Sequence, residues 1–95
     1  MSGGMEARGY IVRGRVQGVG FRWFVRHTGI RLGLAGHVRN LPDGGVEAHA
    51  RGTSEALGAF EAALRQGPPS SRVDALVGIP CDPRTPHRGF LIEEW

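Results

Sequence analysis

Ninety-five residues amount to one domain's worth of chain, enough for a single core and too short for a second lobe, so any functional site has to be built from loops and element ends. Hydrophobic residues make up 40% and charged residues 22%, the balance of a soluble globular protein, and no apolar run approaches the length of a bilayer span. The single cysteine, Cys81, excludes an internal disulfide and every paired-cysteine metal or redox motif, while the basic set is all arginine and leaves a formal net charge of +3 spread without blocks, which favours a small anionic ligand over a nucleic-acid arm.

The opening residues 1–9, MSGGMEARG, are small and polar and lack the apolar centre of a secretory signal, so they read as a flexible leader to a domain spanning 10–95, and the compartment is expected to be the cytoplasm. From Arg8 to Val16 the pattern alternates, with Tyr10, Val12 and Val16 on one face and Ile11, Arg13 and Arg15 on the other, the period of a half-buried strand. After a glycine-containing loop, Phe21, Phe24, Val25, Thr28 and Leu32 fall on one stripe about 100° wide, as an amphipathic helix requires. GHVRNL and VEAHARG follow as strands joined by PDGG, in which Pro42 presets one dihedral and the glycines permit positive φ, so the pair is a hairpin. Thr53 can cap a second helix with Glu55 in its first turn and Leu57, Phe60, Ala63 and Leu64 on its apolar face, and Gly67-Pro68-Pro69 stops it. A fourth strand runs near Arg72 to Pro80, and GFLIEEW adds a short edge strand after a proline-rich segment.

The order βαββαβ with a short C-terminal strand predicts an α+β, ferredoxin-like split βαβ sandwich, an antiparallel sheet with two helices on one face. Such a fold does not determine a function by itself.

Two features carry chemistry. Between Val16 and Phe21 the chain passes from strand to helix through Gly18 and Gly20, which leaves successive backbone N–H groups without helical partners at the positive end of a helix. Arg22, about 100° round from Phe21, can bend over the same hollow, whereas the plainer reading is a tight turn with a solvated arginine. No Gly-Lys-Ser/Thr follows, so the loop is not a Walker motif. Strand parity then places Asn40 on the same helix-covered face as Val38, at the end of its strand, where the amide can orient a water or ligand or else bond the turn backbone around Pro42 and Asp43.

GRVQGVGFR, GHVRNLPDGGVE and GPPSSRVD, in this order and with this spacing, resemble the acylphosphatase family over nearly the whole chain from about Tyr10 to Trp95. The resemblance implies hydrolysis of small acyl phosphates such as acetyl or carbamoyl phosphate to carboxylate and phosphate, without metal or cofactor. It matches the family's phosphate-binding arginine to Arg22, its water-orienting asparagine to Asn40, and its phosphate loop to Arg15, Val16, Gln17, Gly18, Val19 and Gly20. The chain departs from the family pattern at His37, where an aromatic residue is frequent, and at Leu41, where a small hydroxyl residue is. Both bear on substrate preference.

No Ser or Cys beside a His stands at the loop, so water attack on phosphorus is the simpler chemistry. The leaving carboxylate belongs to an acid of pKa about 4–5 and needs no general acid, which leaves positioning and charge stabilisation. His27, His37, His49 and His87 lie on separate elements, with His37 and His49 at outward strand positions and His27 solvated, and do not suggest a metal site. Trp23 and Ile30 lie opposite the buried stripe, and Glu93 or Glu94 can pair with a loop arginine. An RNA-binding module is the distant competitor, because GVGFRWFV echoes a glycine–aromatic RNA-binding pattern, but here the run opens a helix and buries Phe21 and Phe24. A non-catalytic module of the same fold, binding phosphate or carbamoyl phosphate or serving a regulatory role, is the nearer alternative. The expected partner is thus a small acyl phosphate, with no nucleic acid and no membrane, bound by a monomer.

Overall fold

The computed structural model describes residues 4–94. In chain order the elements are β1 (Met5–Arg15), α1 (Phe21–Arg31), β2 (Ala35–Asn40), β3 (Val46–Thr53), α2 (Ser54–Gln66), β4 (Arg72–Ile79) and β5 (Phe90–Glu93). They form one five-stranded sheet in the order β4-β1-β3-β2-β5, with the helices on one face.

The alternation read from sequence places the core. Tyr10 and Val12 of β1, Val38 of β2 and Val46, Ala48 and Ala50 of β3 are all buried under the helices. From α1 the sheet receives Phe21, Val25 and Thr28, and from α2 Leu57, Phe60 and Leu64. Phe60 lies 6.0 Å from Tyr10 and 5.9 Å from Phe90, ring centroid to centroid, in tilted contacts that tie α2 to both β1 and β5. Thr53 caps α2 as expected, its side chain accepting from the Ala56 N–H at 3.1 Å.

Three expectations change. The first strand begins at Met5, not after a nine-residue leader: Met5 to Gly9 pair with Thr53 to His49 of β3. Backbone hydrogen bonds to an existing strand hold these residues, and such bonds leave no trace in side-chain periodicity. Residues 1–3 lie outside the described residues. The sheet is also mixed, not wholly antiparallel, because β5 runs parallel to β2. The chain leaves β4 at one edge, reverses, crosses the sheet and enters β5 at the other edge, and this reversal fixes the direction of β5.

The crossing, residues 80–89, runs over the helix-free face and produces the third change. His37 and His49 do point outward, but they are buried, only 7% and 3% exposed, because this segment covers them. The Asp82 N–H donates to His49 Nδ1 at 3.1 Å, His37 Nε2 lies 3.2 Å from Thr85 Oγ1, and Arg51 donates to the Thr85 and Pro83 carbonyls. A proline-rich segment is thereby pinned to a polar sheet face through its own backbone.

Candidate active site

The loop between β1 and α1 is anchored at both ends by burial, Val16 on one side and Phe21 on the other, while Gly18 and Gly20 stay exposed between them. Both glycines have positive φ, 74° and 76°, a conformation that side chains disfavour and that turns successive N–H groups the same way. Gly20 is the N-cap of α1 in a left-handed conformation, with no side-chain cap and no acidic residue in the first turn. The positive end of the helix is therefore neither capped nor neutralised from within its own turn. One residue earlier than the loop, the β1–β4 register shifts between Arg13 and Gly14 while the pairing continues through Arg15, and Gly14 at φ 133° passes so close to β4 that a Cβ there would stand 2.1 Å from the Arg72 carbonyl oxygen.

The loop is tied down from both sides. Gln17 sends its Nε2 to the carbonyl oxygens of Leu41 and Gly45, each at 2.7 Å, across to the β2–β3 hairpin. Ser70, after α2, donates to the Val19 carbonyl at 3.1 Å. Arg15 is exposed at the end of β1, and Val19 is half-buried against the core.

Arg22 and Asn40 are brought to one corner. Arg22, half-buried in the first turn of α1, donates from Nη1 to the Glu93 carbonyl at 3.3 Å. Glu93 stands opposite Arg39 in the β2–β5 register, next to Asn40. Asn40 ends β2 on the helix-covered side, half-buried, with its side-chain oxygen in the interior. The Glu93 carboxylate itself meets His37 Nδ1 at 3.2 Å, so the expected Glu–arginine contact is made by the Glu93 backbone and not its side chain. The hairpin that carries Asn40 is closed by Asp43, whose Oδ1 accepts the Gly45 N–H at 3.0 Å and whose Oδ2 pairs with Arg13 at 2.8 Å. These two bonds, the backbone one foremost, hold the Asp43 carboxyl below the usual carboxylate range.

On the helix-free face a polar cleft of about 480 Å³ is lined by His37, Arg39, Asp82, Arg84, Glu93 and Glu94. Its charges are largely paired among neighbours: Arg39 with Glu47, Arg84 with Asp82 and His37 with Glu93. Burial opposes ionisation of Glu47, yet the bonds from His49 and Arg39 outweigh it and hold the carboxyl below its ordinary value. Among the described residues, no three His, Cys, Asp or Glu side chains gather as a metal would require, and no helix is long and apolar enough to cross a membrane.

Sequence reasoning placed the loop, Arg22 and Asn40 at one end of the sheet. It counted Gln17 as one more loop position and missed its side chain's reach to the hairpin. A long amide between two buried apolar anchors and two glycines was the available signal.

A family model described as Acylphosphatase matches residues 8–92. The chain is 50% identical over 88 residues to a protein named acylphosphatase from Koribacter versatilis, covering 93% of this chain and 80% of that relative. It is 59% identical over 73 residues to an acylphosphatase from Nitratidesulfovibrio vulgaris, covering 77% of this chain and 73% of the relative. The crystal structure of acylphosphatase from Bacillus subtilis superposes with a TM-score of 0.81 at 38% identity, covering 95% of this chain and 99% of the other.

Proposed function

The chain belongs to the acylphosphatase family and hydrolyses acyl phosphates, and from that premise we propose that Arg22 and the 15–20 loop bind the phosphoryl group while Asn40 places the attacking water. The uncapped, glycine-turned loop with Arg22 in the adjoining turn carries this reading.

In the ground state the phosphoryl oxygens sit over the loop N–H groups, at the positive end of α1. The Arg22 guanidinium has five N–H donors, of which Nη1 engages the Glu93 carbonyl. Its planar fork supplies two parallel bonds to phosphoryl oxygens, which a point charge cannot copy. Asn40, at the end of β2, holds water opposite the leaving oxygen through its amide. Attack by the water forms the new P–O bond as the P–O bond to the acyl group breaks, the electron pair leaves on a carboxylate, and the proton the water sheds is taken up by an oxygen of the phosphate formed. That leaving group is stable unprotonated, so the site needs no general acid, and the catalytic work is positioning and stabilisation of charge on the equatorial oxygens.

Arginine and backbone N–H groups carry the phosphoryl charge in this scheme, which makes the reaction independent of a metal ion. The single cysteine fits a reducing, cytoplasmic compartment. The exposed large apolar residues Met5, Trp23, Ile30, Val77 and Leu91 are spread over β1, α1, β4 and β5, which fits a monomer. The non-catalytic alternative is not favoured, since the relatives compared over most of their length bear the enzyme's name. The test is phosphate release from a panel of acyl phosphates with a phosphate monoester as control. Turnover of acyl phosphates alone is expected, and equal turnover of the monoester would overturn a mechanism that lacks a general acid.

A further inference from the structure

Gln17 lies in the phosphate loop, yet its side chain leaves the loop. Its single Nε2 reaches two carbonyl oxygens, those of Leu41 and Gly45, both at 2.7 Å. These same two oxygens close the hairpin: the Leu41 N–H donates to the Gly45 carbonyl at 2.8 Å, and the Gly44 N–H donates to the Leu41 carbonyl at 3.2 Å. Each carbonyl thus accepts one backbone bond and one Gln17 bond, which uses both lone pairs of each oxygen and both protons of the amide nitrogen.

The position of this knot gives it meaning. Leu41 directly follows Asn40, and the peptide joining them is the one whose N–H is held by Gly45. The loop end of the bridge is the backbone of Gln17, flanked by Val16, which is buried, and Gly18, whose positive φ lets the chain turn. The bridge therefore fixes the distance between two groups on separate elements that have to act on opposite sides of one phosphorus atom. A misplacement of about 1 Å between such groups can cost on the order of 100-fold in rate.

We propose that Gln17 is a positioning residue, whose amide locks the Asn40 end of β2 to the phosphate loop and sets the water in line with the bound phosphoryl group. This rests on the assignment of Asn40 to the water. Few other side chains fit the place. Glutamate has no donor and faces two carbonyl oxygens with a charge, asparagine is one methylene short, and methionine keeps the length without the protons.

The experiment is a double-mutant cycle of Gln17→Met and Asn40→Ala, read as kcat with acetyl phosphate, as the inhibition constant of inorganic phosphate, and as melting temperature. Gln17→Met is expected to lower kcat by about 10-fold or more while the phosphate inhibition constant moves less than about 3-fold. In the Asn40→Ala background the same change is expected to lower kcat by less than about 2-fold, because the group it positions is gone. Gln17→Asn, which keeps the donor but withdraws it, is expected to fall between wild type and Gln17→Met, and it decides the matter if the methionine variant does not fold. Equal losses in both backgrounds, or phosphate affinity falling in step with kcat, would show that Gln17 serves only the loop and overturn the proposal. A full kcat in Asn40→Ala alone is a different failure: it removes the water assignment, and the role of Gln17 with it.

Discussion

Arg22 donates from Nη1 to the carbonyl oxygen of Glu93 at 3.3 Å, so the guanidinium at the start of α1 rests on the last residue of the edge strand β5. The contact holds the side chain beside the loop without neutralising it, since a backbone carbonyl carries no net charge. Inorganic phosphate, the reaction product, is therefore expected to bind the folded protein and stabilise it, by about 2.7 kcal/mol at roughly 100 times its Kd. Arg22→Ala should still melt cooperatively but lose this protection, and Arg22→Lys should regain little of it. Thermal melts at matched ionic strength, with sulfate and chloride as comparison anions, separate this from general screening. Undiminished protection of Arg22→Ala by phosphate places the anion elsewhere.

Asn40 acts on water in the proposed reaction, not on the phosphoryl group. Asn40→Ala is expected to lower kcat by about 100-fold or more with the phosphate inhibition constant nearly unchanged. Steady-state kinetics with product inhibition checks it, and parallel loss of affinity and rate rules the role out.

Glu47 makes stability depend on pH in a stated direction. The His49 and Arg39 bonds lower its folded-state pKa against the opposing effect of burial. A lowered carboxylate pKa stabilises the fold above the unfolded value of about 4.3 and ceases to do so as pH falls through the folded value. Glu47→Gln should therefore melt below the wild type at pH 7, and the gap should narrow as the solution is acidified past pH about 4. A gap that stays constant well below that pH, in a range where both variants still fold, contradicts the linkage.

Two glycines on helices are expected to behave oppositely. A Cβ at Gly29 would stand 2.5 Å from the Phe90 ring, whereas one at Gly58 would meet nothing within 4 Å. Gly58→Ala should stabilise the protein by about 0.5–1 kcal/mol through helix propensity alone. Gly29→Ala should destabilise it by about 1–3 kcal/mol despite the same propensity, because α1 and β5 have to move apart. Urea unfolding of both variants measures this, and similar shifts in the two would contradict the close approach of α1 to Phe90.

Activity is expected to survive prolonged chelation, because arginine and backbone N–H groups carry the phosphoryl charge in the proposed site. Loss of turnover that a divalent ion restores would require a metal-assisted reaction instead.

The sequence by itself determined the order of elements, the faces of β1, β2, β3 and both helices, the cap at Thr53, and the meeting of the glycine loop, Arg22 and Asn40 at one end of the sheet. The order, the faces and the cap follow from side-chain periodicity and from the few residues that tolerate special backbone conformations, both local properties, and the meeting follows from them once the strands pair as the split βαβ arrangement requires. Tertiary structure decided the rest. Met5 to Gly9 became strand through backbone bonds to β3, the direction of β5 followed from a crossing that has no periodicity, and His37 and His49 were buried by a segment more than thirty residues away in sequence. Gln17 belongs with them, since its two bonds run to residues 24 and 28 positions along the chain. Hydrogen bonds to backbone carbonyls are indifferent to which side chains those residues carry, so the residue types can show that an amide is available for such a bond but not which carbonyls it reaches until the chain has folded.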